Sequence, residues 1–110
     1  MSKANSRRNS RTNVRVLCGA PARADGPRGP IRGLCRNLSR GGMFWSGPLF
    51  PVGKSLELSI ELPQVGRVQA LGEVRYHHAY PDGAGVGVRF TRIAQDDLTK
   101  IYAYVEAIAA

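Results

Sequence analysis

Ser55-Leu56-Glu57-Leu58-Ser59-Ile60-Glu61-Leu62 alternates apolar and polar residues without a break. Successive side chains of an extended chain point to opposite faces, so Leu56, Leu58, Ile60 and Leu62 share one face and Glu57, Ser59 and Glu61 the other. The segment reads as a strand with one side in a core and one in water. Downstream, Pro63–Gly66 turns the chain, and Arg67–His78 offers Val68, Ala70, Val74 and Tyr76 on one face. Gly72 interrupts that run, as at a bulge or a barrel corner. Tyr80-Pro81-Asp82-Gly83 is a turn sequence, and Val86, Val88 and Phe90 alternate in a further strand. After Arg92 the period lengthens to that of a helix. Leu98, Ile101, Tyr102, Val105 and Ile108 form one stripe, with Asp96 and Asp97 in the first turn, where negative charge suits the helix dipole.

Upstream, Pro48 and Pro51 force irregular chain, because proline offers no ladder donor. Before them come a short strand at Met43–Ser46, a turn at Ser39–Gly42 and a strand at Ile31–Leu38. Val14 and Val16 flank Arg15 in a first short strand that stops at Gly19-Ala20-Pro21, and Ala20–Pro30, with three Pro and two Gly, reads as a loop. Residues 1–12 are polar and basic without apolar periodicity. They read as a flexible arginine-rich arm ahead of one domain spanning 13–110. Six short strands with short turns and one amphipathic helix are most simply satisfied by a mainly β fold: a small closed antiparallel barrel, six-stranded, with the C-terminal α-helix covering one end. Closure also removes vulnerable sheet edges.

A chain of 110 residues, 43% hydrophobic, suffices for one modest core. Its formal net charge of +8 is unevenly placed. Residues 1–40 carry ten Lys/Arg against one acidic residue, and residues 41–110 carry six against seven. The front of the molecule therefore suits an anionic partner, with nucleic acid, an anionic nucleotide and acidic lipid headgroups all admissible. No apolar run approaches the roughly 18 residues that span a bilayer, and no apolar stretch follows the basic N-terminus as in a secretory signal. The expectation is a soluble, cytoplasmic protein. Cys18 and Cys35 lack the close paired spacing of a zinc site and read as small apolar core residues. If the first two strands pair, their thiols come close enough for a disulfide, which a reducing interior would keep open.

Arginines at i and i+4 occur five times, at 7/11, 11/15, 28/32, 32/36 and 36/40, so the spacing alone says little. A cationic helix through Arg28, Arg32, Arg36 and Arg40 is opposed by Gly29, Pro30, Gly33 and Gly41. Asn37-Leu38-Ser39-Arg40-Gly41-Gly42 is more distinctive. In an extended chain Asn37 and Ser39 present an amide and a hydroxyl on one side while Leu38 points into a core. The glycines permit positive φ and a close backbone approach to a ligand. On residues alone, the same composition serves equally as a polar turn between strands. Arg36 falls on the inward side with Leu34 and Leu38, which requires either a bulge or another register.

Together, Arg7 and Arg11 before the first strand and Asn37, Ser39 and Gly42 some 25 residues later resemble the RxxxR and [D/N]xSxxG signature of PilZ domains. Gly85-Val86-Gly87-Val88-Arg89-Phe90 looks like that family's last barrel strand. The resemblance covers about residues 5–108. It implies a six-stranded barrel that binds cyclic di-GMP on its outer surface, with the N-terminal arm ordering over the nucleotide, and ligand contacts from Arg7, Arg11, Asn37, Ser39 and Gly42. It further implies a receptor or adaptor in bacterial second-messenger signalling, without a cofactor, acting on an unidentified downstream protein. The chemistry is apt. A guanidinium fork meets guanine O6 and N7, or two phosphate oxygens, bidentately. A four-residue step of extended arm spans roughly 13 Å, so two arginines can grip separate parts of one cyclic dinucleotide. Asn stands where many PilZ domains have Asp, removing a charge that orients an arginine.

Two rival readings remain: a small basic barrel that binds RNA or single-stranded DNA, and a PilZ-like adaptor for protein contacts alone. The first is weakened because Phe44 is the first aromatic residue, leaving the basic segment without stacking platforms. No nucleophile stands beside a matching His and carboxylate, so catalysis is not expected. His77 and His78 lack a third ligand at metal spacing and read as solvated. Phe44 and Trp45 adjoin on a strand, and core packing is the default for the pair.

Overall fold

The computed structural model describes residues 15–109. They form β1 (Val16–Gly26), β2 (Gly29–Ser39), β3 (Gly42–Ser46), β4 (Ser55–Leu62), β5 (Gly66–Tyr80), β6 (Gly83–Ile93) and one helix, α1 (Gln95–Ala109). Every neighbouring pair of strands is antiparallel, and the order β1-β2-β3-β6-β5-β4 closes on itself through β1 and β4. The fold is the six-stranded barrel with a C-terminal helix expected from the strand periods.

β4 supplies the most regular wall. Its alternation buries Leu56, Leu58, Ile60 and Leu62. Its register with β5 runs unbroken from Ser55 opposite Glu73 to Leu62 opposite Gly66. Leu38, Met43, Trp45, Val68, Val74 and Val86 complete the interior and are fully buried. Trp45 donates its indole N–H to the Pro48 carbonyl at 3.0 Å and packs on Phe50 with ring centroids 5.5 Å apart. The ring is thereby buried with its one donor satisfied.

Four expectations are corrected. The supposed loop Ala20–Pro30 is a long hairpin: β1 continues to Gly26, and Pro27-Arg28 form the turn into β2. Its prolines are tolerated because Pro21 precedes Ala22, where β1 begins to pair with β4, and Pro30 precedes Leu34, where β2 begins to pair with β3. Each therefore has a strand neighbour on one side only, and a missing N–H is tolerated there. Second, Leu34 does not point inward: the register of β2 shifts between Cys35 and Asn37, the bulge that Arg36 called for, so Arg36 points outward and Leu34 is exposed while Cys35 points inward. Third, Tyr76 does not join the core. β5 bulges between Val74 and Tyr76, which turns Tyr76 to the outer face at 46% exposure. The irregularity expected at Gly72 is present, between Leu71 and Gly72. Fourth, α1 enters the core through Ile101 and Tyr104, whereas Ile108 at the end of the expected stripe is 53% exposed. The helix packs against β5, β1 and β2, and only the face carrying Ile101 and Tyr104 meets them closely.

Among the described residues no helix is long and apolar enough to cross a membrane.

Candidate functional site

The bulge at Arg36 sets the side chains that follow it. Asn37, opposite Phe44, and Ser39, opposite Gly42, lie on the outer side of β2, with Leu38 fully buried between them. The Asn37 Oδ1 accepts a hydrogen bond from Arg15 Nη1 at 2.7 Å. Such a charge-assisted bond fixes both groups at the mouth of β1 and β2. Ser39 is not presented to solvent; it is buried. Its Oγ accepts from the Gly41 N–H at 3.3 Å and donates toward the Gly42 carbonyl at 3.5 Å, closing the β2–β3 turn.

Gly42 serves this turn differently from the expectation. Neither Gly41 nor Gly42 has a positive φ. Gly42 is needed because β3 lies close to β6 here, and a Cβ would overlap the Val88 carbonyl. The turn is further tied down by the Phe90 N–H donating to the Gly41 carbonyl at 2.8 Å. Arg40 lies over the Tyr102 ring of α1, 4.6 Å from its centroid.

The turn forms one wall of a cleft of about 570 Å³, lined by Arg15, Ser39, Gly41, Gly42, Arg75, Tyr76, Gly87, Val88 and Arg89. Three guanidinium groups and no carboxylate stand among these lining residues. The cleft thus suits an anion, and its arginine forks suit phosphate or a base edge. A smaller cleft of about 330 Å³ elsewhere includes Asp25, Glu57 and Asp97, the wrong sign for such a ligand.

Beside the cleft the outer surface of β3, β5 and β6 is aromatic. Tyr76 and Phe44 lie down on Gly87 and Gly85, where an added Cβ would overlap their rings. The Phe44 centroid is 6.4 Å from that of Tyr76, 6.1 Å from His78 and 6.0 Å from Tyr80. Arg36 stacks over Tyr80 at 4.5 Å. Trp45 thus takes the core position expected of the aromatic pair, while Phe44 is buried beneath an outer cluster. His77 Nε2 lies 2.7 Å from the Phe50 carbonyl.

Of the residues expected to bind ligand, Asn37, Ser39 and Gly42 meet at this cleft's edge and wall, and Arg7 and Arg11 lie outside the described residues. Sequence reasoning missed Arg15, Arg75, Tyr76 and Arg89. Arg15 had a faint signal, as the second member of the 11/15 arginine pair, and Arg89 stands within Gly85–Phe90. Alternation already puts Arg75 on the outer face but does not tie it to a site, and Tyr76 had no signal, because the bulge that turns it outward depends on pairing with β6.

Known proteins bear out the architecture. Bacillus subtilis MotI/DgrA, an inhibitor of motility, superposes with a TM-score of 0.77 at 25% identity, over 86% of this chain and 49% of that one. Escherichia coli YcgR in complex with c-di-GMP superposes with a TM-score of 0.77 at 12% identity, over 88% of this chain and 45% of that one. The PilZ domain of YcgR with c-di-GMP gives 0.69 at 11% identity, over 88% and 89%. The chain thus spans about half the length of the first two proteins. No curated protein matches the sequence. The PilZ domain model matches residues 6–107, and the chain belongs to the PilZ family.

Proposed function

We propose that this domain is a receptor for cyclic di-GMP and that the nucleotide sits in the arginine-lined cleft beside Asn37 and the Ser39–Gly42 turn. The observation that carries the reading is the convergence of Arg15, Arg75 and Arg89 with both the motif turn and the exposed Tyr76 ring. A cyclic dinucleotide offers two phosphates and two guanines, and this surface offers cations for the former and directional donors with a stacking ring for the latter. Arg11 stands four residues before Arg15. At about 3.3 Å per residue of extended chain it reaches roughly 13 Å from Arg15, within range of a bound nucleotide, and Arg7 reaches about twice as far. The N-terminal arm closes over the ligand on this reading and makes a composite surface for a downstream protein. The E. coli YcgR structures are complexes with c-di-GMP, which supports the same ligand here.

Ordering about six arm residues costs on the order of 6–12 kcal/mol, and two or three charge-assisted bonds at about 1.5–3 kcal/mol each do not offset it alone. Stacking on Tyr76 adds about 1–3 kcal/mol. The expected dissociation constant is therefore nearer micromolar than picomolar.

The test is calorimetric titration of cyclic di-GMP into the wild type, Arg11→Ala and Ser39→Ala, with GTP and a short oligonucleotide as controls. Saturable binding of cyclic di-GMP, weakened in both variants, supports the reading. Binding of the oligonucleotide with no response to cyclic di-GMP overturns it.

A further inference from the structure

The two cysteines lie apart from the nucleotide cleft. β1 and β2 pair Leu17 with Asn37 and Ala20 with Cys35, so Cys18 and Gly19 on one strand and Arg36 on the other are left out of register. Gly19 takes a φ of +69°, the left-handed geometry that an irregularity of this kind requires. Alternation along β1 holds through it: Leu17 is 83% exposed, and Cys18 shares the inward side with the buried Val16 and Ala20. Cys18 lies two residues from Ala20, the partner of Cys35 across the two strands, and packs against the core cluster that holds Cys35 and, from α1, Tyr104. Cys18 remains partly exposed, Cys35 is buried, and both are free thiols. A buried cysteine ordinarily packs as a small hydrophobe. A neighbouring pair, one member reachable from solvent, is a different chemical object.

We propose that Cys18 and Cys35 form a peroxide-reactive dithiol, with Cys18 the attacking sulfur and Cys35 the resolving one. The Cys18 thiolate attacks a peroxide oxygen and the O–O bond breaks. One oxygen stays on sulfur as a sulfenic acid, and the other leaves as hydroxide, which takes up the proton that Cys18 released on ionising and becomes water. Cys35 then gives up its proton and attacks the Cys18 sulfur. The S–O bond breaks, and hydroxide leaves with that proton as water. Two thiols are oxidised by two electrons to one disulfide, and hydrogen peroxide is reduced to two waters.

The surroundings divide the roles in that order. Hydrogen bonds from Cys35, Tyr104 and the Ala20 backbone draw the Cys18 thiol down to about 6 against the opposing effect of burial, while the neighbouring Cys18 and burial push Cys35 up. Arg15 is the charged group that acts on the pair, favouring the ionised form of Cys35. Cys18 is also the sulfur of the pair that solvent and peroxide reach, and the lowered pKa favours its thiolate, the form that attacks. The Asn37 carbonyl lies 3.3 Å from Cys35 Sγ and competes with the Cys18 sulfur for its single proton. Disulfide formation removes that hydrogen, so the oxidation acts within two residues of the nucleotide segment.

The experiment treats the full chain with hydrogen peroxide and follows free thiols in denaturant together with intact mass. Loss of both thiols, a mass decrease of about 2 Da and recovery with a dithiol reductant support the proposal. Cys35→Ala stops at a sulfenic acid that dimedone traps, and Cys18→Ser stays unreacted under the same exposure. Iodoacetamide labelling of Cys18 in Cys35→Ala tests the role of the partner thiol: its half-maximum moves to higher pH than in the wild type. Retention of both thiols by the wild type, oxidation of Cys18→Ser at the wild-type rate, or a purely intermolecular disulfide overturns it. The wild-type measurement decides the matter even if a variant fails to fold.

Discussion

Two walls of this barrel differ in regularity. On one side, β4 pairs with β5 over eight residues without a shift and with β1 over four, again without a shift. On the other, β2, β3, β6 and the far end of β5 carry register shifts at Cys35/Asn37 and Val74/Tyr76, and β1 adds another between Leu17 and Ala20. The regular wall buries a core face and presents Glu57 and Glu61 to water. The irregular wall carries the arginine cleft, the aromatic surface and the thiol pair. A bulge puts one extra residue into a strand and reverses the facing of those beyond it. Tyr76 and Arg36 reach the outer surface this way. Both walls bury core side chains, but the candidate site lies where the pairing slips.

That contrast can be broken in graded steps. Ile60→Ala in the regular wall removes a fully buried side chain and should cost about 2–5 kcal/mol in urea unfolding, with cyclic di-GMP affinity unchanged below the transition. Gly87→Ala places a methyl under the Tyr76 ring and should cost about 1–3 kcal/mol in thermal unfolding. Adding Tyr76→Ala should recover part of that loss, since the overlapping ring is gone, while leaving binding impaired; full additivity of the two losses would show that the ring does not rest on Gly87. Arg15→Ala should leave stability nearly unchanged yet weaken cyclic di-GMP binding by about five- to thirtyfold, an effect of one to two kcal/mol, with Arg15→Lys intermediate because it keeps the charge and loses the fork. The smallest change should come from Glu61→Gln, which removes the exposed 2.6 Å pair with Arg67; less than about 1 kcal/mol is expected, falling further in high salt.

Legibility followed the same division. Ser55–Leu62 could be read residue by residue because its alternation is uninterrupted and its neighbours keep register. The hairpin of β1 and β2 was hidden because prolines and glycines signal loops locally, whereas their tolerance at Pro21 and Pro30 depends on which side of the strand is paired. In the site, Asn37, Ser39 and Gly42 stood out through spacing. Arg15, Arg75 and Arg89, contributed by three distant stretches of chain, shared no local pattern. Ser39 was found for its hydroxyl, but its partners within the turn are set by how the chain closes at Gly42.

The sequence by itself determined the number and kind of elements, the buried face of β4, the basic front half and the motif that marks the PilZ family. These are properties of period, composition and order along the chain. Only the tertiary structure decided that Tyr76 faces outward, that three separated arginines share one cleft, and that Cys18 meets Cys35. Each depends on strand register, and register is settled by closing the whole barrel around its core.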